Sequence, residues 1–74
     1  MNRSQVLTVQ INAIQNRIAH LLERAKGLAA ELPNLEKSSP DHVQAVIAAI
    51  SDNSTQIVLE CDKCMKLIDE RNTL

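Results

Sequence analysis

Between Leu7 and Leu32 the apolar residues fall at Leu7, Ile11, Ile14, Ile18, Leu21, Ala25, Leu28 and Leu32, in alternating steps of four and three. Steps of that kind put every one of these side chains along one stripe of an α-helix. A strand would need strict alternation, which the stretch lacks. In heptad terms Ile11, Ile18, Ala25 and Leu32 occupy a, and Leu7, Ile14, Leu21 and Leu28 occupy d. A helix of about 28 residues, roughly 42 Å long, that needs a partner helix is the constraint that governs the rest of the chain.

The pattern resumes at Val43, Ile47, Ile50, Ser54, Ile57, Cys61, Cys64 and Ile68. Ser4 is the expected N-cap of the first helix, and Pro33 is expected to stop it. Pro33–Ser39 is the expected loop. Ser39, Pro40 and Asp41 then open the second helix as cap, first-turn proline and dipole partner. Arg71 suits its C-terminus. The reading is one all-α domain over residues 1–74: helix 1 about 4–32, loop 33–39, helix 2 about 40–71. The fold class is an antiparallel two-helix hairpin, coiled-coil-like, completed to a bundle by a partner or by dimerisation. Ser51-Asp52-Asn53-Ser54-Thr55 is poor in helix formers. It leaves two readings: a continuous helix with one polar layer at Ser54, or a break that gives three helices.

A chain of 74 residues buries only about 60% of its unfolded surface. Small scaffolds add disulfides, a metal or oligomerisation. Two cysteines do not make a disulfide framework, so association with another helix is the expected supplement. The apolar stripes are wider than one hairpin can bury. Leu22 flanks the seam of helix 1, and Val6, Val9 and Ala13 form a second cluster away from it. In helix 2, Val58 and Met65 flank the seam and Leu59 points nearly opposite. These seven residues are the candidate partner-binding set. Arg3, Arg17 and Arg24, on the g flank of helix 1, are the candidate charged rim that steers toward a partner.

Composition removes other classes. Eight basic residues against nine acidic ones argue against nucleic acid, and the absence of aromatic rings removes the stacking platforms that single strands need. The longest apolar run, Ala45–Ile50, is far short of a membrane span. Met1–Gln5 lacks a signal-peptide apolar core, so the expected location is the cytoplasm. One glycine excludes a glycine-rich phosphate loop.

Cys61-Asp62-Lys63-Cys64 is the one motif with a chemical name. Redox pairs sit at helix N-termini, whereas these cysteines sit mid-helix at seam spacing, so packing is the expected role. A redox pair or half a zinc site is the alternative. With the turn near Glu36, Cys61 falls opposite about Ile11 and Cys64 opposite about Thr8, and neither His20 nor His42 reaches them. No metal, no cofactor and no catalytic residue is expected. The carboxylates Asp41, Asp52, Asp62, Asp69 and Glu70 lie on exposed faces and form no acid–base pair.

Two amphipathic helices, Leu7–Leu32 and Val43–Ile68, around a Pro33–Ser39 loop resemble the small helical-hairpin co-chaperones of type III secretion needle subunits. The resemblance implies a short, cytoplasmic, non-catalytic protein that covers an aggregation-prone partner within a heteromeric complex. The same plan resembles hairpins that dimerise into four-helix bundles, and small subunits of coiled-coil assemblies. The expected function is a protein–protein interaction module, an adaptor, co-chaperone or complex subunit. The alternative is a self-associating homodimer with a structural role.

Overall fold

The computed structural model describes all 74 residues as two helices packed antiparallel, α1 (Arg3–Ala29) and α2 (Pro40–Asn72), joined by a short 3-10 helix (Leu32–Lys37). The hairpin extends 55 Å along its length and 14 Å in each cross-direction. Neither helix is long and apolar enough to cross a membrane.

The first helix starts two residues earlier than its expected cap implies. Asn2, not Ser4, is the N-cap. Its Oδ1 accepts from Gln5 N at 2.9 Å, and Gln5 Oε1 accepts from Asn2 N at 2.9 Å, a reciprocal capping box. Ser4 lies inside the first turn, where its carbonyl accepts from the Thr8 hydroxyl at 3.0 Å. Asn2→Ala is expected to cost about 0.5–2 kcal/mol and Ser4→Ala almost nothing. Thermal unfolding followed by helical circular dichroism separates the two. Equal losses would return the cap to Ser4.

α1 ends at Ala29, short of Leu32. Pro33 has no N–H to give to Ala29, and it disfavours helical geometry at Leu32. The chain tightens instead. Glu31 N donates to Leu28 O at 3.1 Å, Asn34 N to Glu31 O at 3.0 Å, and Ser38 N to Leu35 O at 3.1 Å. Proline is tolerated at the start of this 3-10 turn because the first N–H groups have no partner there. Ser39 then caps α2 as its sequence predicts, its Oγ accepting from His42 N at 3.3 Å.

α2 runs unbroken through Ser51–Thr55 for 33 residues. The polar side chains there find partners that leave the helix intact. Thr55 Oγ1 donates to Ser51 O at 3.1 Å, and Asn53 Nδ2 donates across the seam to Leu21 O at 3.0 Å.

The core is small: Leu7, Ile11 and Ile14 of α1 with Val46 and Cys64 of α2. Ile11, Ile14 and Cys64 form its centre, with Ile18, Leu67 and Ile68 packed on it. The register is therefore about one turn from the expected one. Cys64 meets Ile11 and Ile14 rather than Thr8, and Thr8 instead accepts from Arg71 Nη1 at 3.3 Å. The 3-10 helix accounts for the shift, since it carries the reversal past Glu36.

The seam of α1 is the expected one from Leu7 to Leu28; Leu32, expected at its end, lies in the 3-10 helix and is half exposed. The seam of α2 is not the expected one. Val43, Ile50, Ile57 and Cys64 face α1, but the alternate positions are Val46, Asn53, Glu60 and Leu67. Ile47 and Ser54 are exposed and Cys61 is half-buried. α2 is thus rotated by one residue about its axis relative to the most apolar choice. Val46 and Leu67 fill seam positions. Asn53 and Glu60 are nine-tenths buried, and each takes a partner on α1.

Candidate functional site

With the α2 seam at 43/46/50/53/57/60/64/67, the two edges of the hairpin differ in chemistry. One edge joins the g positions of both helices: Arg3, Gln10, Arg17 and Arg24 on α1, with Glu31 just past its end, and His42, Ala49, Gln56, Lys63 and Glu70 on α2. Both arginine–glutamate pairs between the helices lie along it. Arg3 Nε donates to Glu70 Oε1 at 3.1 Å. Arg17 Nε donates to Glu60 Oε2 at 3.1 Å. His42 Nε2 stands 3.6 Å from Glu31 Oε2 at the loop end. Lys63 Nζ closes on Glu60 Oε1 at 3.5 Å from within α2. Shallow grooves on this edge are lined by Gln10, Ala13, Arg17, Lys63 and Lys66, and by Arg17, His20, Arg24 and Gln56.

Glu60 is the one group whose titration is clearly moved. The hydrogen bond from Arg17 holds its carboxyl below the ordinary value of 4.5; partial burial opposes this, and the charges of Arg17 and Lys63 add to the lowering. A folded pKa below the unfolded one means that the unfolded chain binds the proton first as pH falls. Glu60 therefore contributes stability above about 4.5 that is lost as pH drops through the folded value. Urea midpoints of wild type and Glu60→Gln should differ at neutral pH and converge in acid. A gap that stays constant with pH would remove Glu60 from the linkage.

The other edge carries none of these pairs. On α2 it is a second heptad stripe stepping by three and four through Gln44, Ile47, Ser51, Ser54, Val58, Cys61, Met65, Ile68 and Asn72, with no charged side chain along its length. Val58 is 58% exposed and Met65 63% exposed. Leu22 and Ala29 of α1 border the stripe near the loop, with Leu32 just beyond. Between the helices on this edge lies a groove walled by Ala25, Ala29, Leu32, Ile50 and Ser54. Asn53 lines it too, and its Oδ1 is buried without a hydrogen-bond partner. The small Ala25 in the seam explains why this half closes less well. Three of the five buried apolar side chains belong to the first half of α1.

The seven expected partner-binding residues do not share one face. Leu22, Val58 and Met65 lie together on the uncharged edge. Val6 is half-buried, and it and Ala13 lie toward the charged edge. Val9 points away from α2, and Leu59 points outward beside Lys66; both are exposed. Ile47, expected inside the seam, stands 56% exposed on the uncharged edge and joins Leu22, Val58 and Met65. Of the expected rim, Arg3 and Arg17 are engaged in pairs within the chain. Arg24 lines a groove beside them.

Cys64 is buried in the core and Cys61 half-buried on the uncharged edge, both as free thiols. No three His, Cys, Asp or Glu side chains are grouped to hold a metal ion. Comparison with known proteins returns no matching family model, no similar curated protein and no similar solved structure.

Proposed function

We propose that this chain is a non-catalytic protein–protein interaction module that works by laying its uncharged edge against the helix of a second chain. The observation that carries the reading is the division of the two edges. Both arginine–glutamate pairs between the helices, Arg3–Glu70 and Arg17–Glu60, lie on one, while exposed Leu22, Ile47, Val58 and Met65 line the other. Burying such side chains contributes about 1.5–3 kcal/mol each, a large sum for so small a core. Recognition is helix against groove, with a rim of charges on the far edge that stays in water. A co-chaperone of the kind the two-helix layout resembles is the heteromeric form of this reading, with an aggregation-prone helix as cargo.

The test compares immobilised wild-type, Val58→Asp and Leu59→Asp chains, each checked for helicity by circular dichroism. An unpaired carboxylate in a closed interface costs enough to weaken retention by about tenfold or more. Val58→Asp should lose the bound chain, whether foreign or a second copy, while Leu59→Asp keeps it. Equal retention by all three would remove the uncharged edge as the binding surface.

A further inference from the structure

α2 offers α1 two seams, and the structure uses the less apolar one. Val43, Ile50, Ile57 and Cys64 belong to both. The seam in use completes them with Val46, Asn53, Glu60 and Leu67; the other would take Ile47, Ser54, Cys61 and Ile68. Successive residues of a helix are about 100° apart, so a turn of about 50° about the α2 axis exchanges the two. The turn that brings Ile47 and Cys61 inward carries Val46 and Glu60 out toward the charged edge. Packed helices change between discrete arrangements of this kind rather than deforming continuously.

Charge at one position holds the seam in use. Glu60 is 9% exposed there. A carboxylate in a seam is tolerated only with a partner, because removing the partner leaves an uncompensated buried charge. Arg17 donates from Nε to Oε2 at 3.1 Å, and Lys63 Nζ lies 3.5 Å from Oε1. Lys63 belongs to α2 and turns with it, so Arg17 alone ties the carboxylate to this rotation. His20 and Arg24 of α1 line the same groove without pairing with Glu60. Asn53, through its bond to Leu21 O, favours the same rotation. The Arg3–Glu70 pair is exposed and contributes little to the choice.

We propose that Arg17 is a positioning residue for the uncharged edge: by holding Glu60 in the seam, it keeps α2 in the rotation that leaves Ile47 and Cys61 outside. Without the guanidinium, the Glu60 carboxylate escapes to water at the charged edge, α2 turns, and Ile47 and Cys61 enter the seam. The two edges are coupled through α2. A chain bound on the uncharged edge favours the Arg17–Glu60 pair, and the pair favours the bound chain to the same degree. This consequence for binding rests on the interaction-edge reading; the rotation itself does not.

The two free thiols report the rotation on the whole chain with no partner present. Cys64 belongs to both seams and Cys61 only to the unused one. Iodoacetamide labelling is read by mass spectrometry after trypsin, which cuts at Lys63 between them. Rates are taken at neutral pH and at dilutions where they no longer depend on concentration. In Arg17→Gln, Cys61 should react about tenfold more slowly than in wild type, with Cys64 still slow and helicity unchanged. Adding Glu60→Leu leaves no buried charge to expel and should restore the wild-type Cys61 rate. An unchanged Cys61 rate in helical Arg17→Gln overturns the proposal, because Glu60 then reaches water without turning α2. Faster labelling of both cysteines overturns it as well, because the chain then opens instead of turning. Retention by Val58→Asp does not enter these rates, so failure of the interaction edge and failure of the rotation are read separately.

Discussion

Ile11→Ala will take most of the stability this hairpin has. Ile11 is at the centre of the core with Ile14 and Cys64, and only five apolar side chains are buried in the whole chain. Truncating a buried Ile to Ala costs about 2–5 kcal/mol, from lost transfer energy and the cavity left behind. A domain of this length has a total of about 4–11 kcal/mol. Two long helices can close that cavity only by moving together, and the ion pairs at Arg3–Glu70 and Arg17–Glu60 hold their spacing on one edge. The expected fall in Tm is on the order of 10–30 °C, or loss of the folded state at room temperature. Val9→Ala, on the exposed side of the same helix, should move stability by less than about 0.5 kcal/mol. Both must be read at one protein concentration, because any association adds to apparent stability. If Ile11→Ala melts alongside Val9→Ala, the seam as described does not hold the hairpin together.

The helices, their antiparallel pairing and the continuity of α1's seam were legible from spacing alone, because eight apolar residues in steps of four and three leave one geometry. The start of α2 was legible from Ser39-Pro40-Asp41, where cap, proline and carboxylate agree. The rotation of α2 was not. At its alternate positions the chain offers Ile47, Ser54, Cys61 and Ile68, or Val46, Asn53, Glu60 and Leu67. Counting apolar residues selects the first set, and the structure uses the second. The deciding partners are α1 groups that hydropathy does not score: the Leu21 carbonyl for Asn53 and the Arg17 guanidinium for Glu60. A signal did exist, since Arg17 on the g flank needed a carboxylate opposite, and Glu60 is the one within reach. The same rotation decides the candidate site. Leaving Ile47 outside the seam turns four scattered apolar positions of α2 into one uncharged edge. Expecting Ile47 inside splits that edge, which is why Leu59 stands beside Val58 in the candidate set.

Asn53→Leu is expected to stabilise the hairpin, against the usual direction of a core substitution. Asn53 is 3% exposed, with one good hydrogen bond, from Nδ2 to Leu21 O at 3.0 Å, and one buried acceptor, Oδ1, with none. The made bond is worth about 0.5–1.5 kcal/mol net, and the unmade one costs about 1–3 kcal/mol. Leu21 O lies within α1, where helix hydrogen bonding already supplies a donor, so removing Asn53 does not strand it. Leu shares the branched heavy-atom skeleton of Asn; its two methyls are bulkier than the amide O and N, and they extend into the groove lined by Ala25, Leu28 and Ile50. The balance is a gain of about 1–2 kcal/mol, or about 4–16 °C in Tm for a chain of this size. The gain carries a cost in definition. Asn53 is the residue that favours the Val46–Leu67 side of α2 over the Ile47–Ile68 side, in the way a single buried Asn fixes register in a coiled coil. With Leu there, the two rotations of α2 become closer in energy, and Ile47 can turn inward at the expense of the uncharged edge. Asn53→Leu should therefore melt higher yet show broadened amide resonances around Ile47 and Val58 and weaker association through that edge. A variant that melts lower than wild type would mean that Oδ1 has a partner the isolated hairpin lacks, and that Asn53 belongs to the interface rather than to the core.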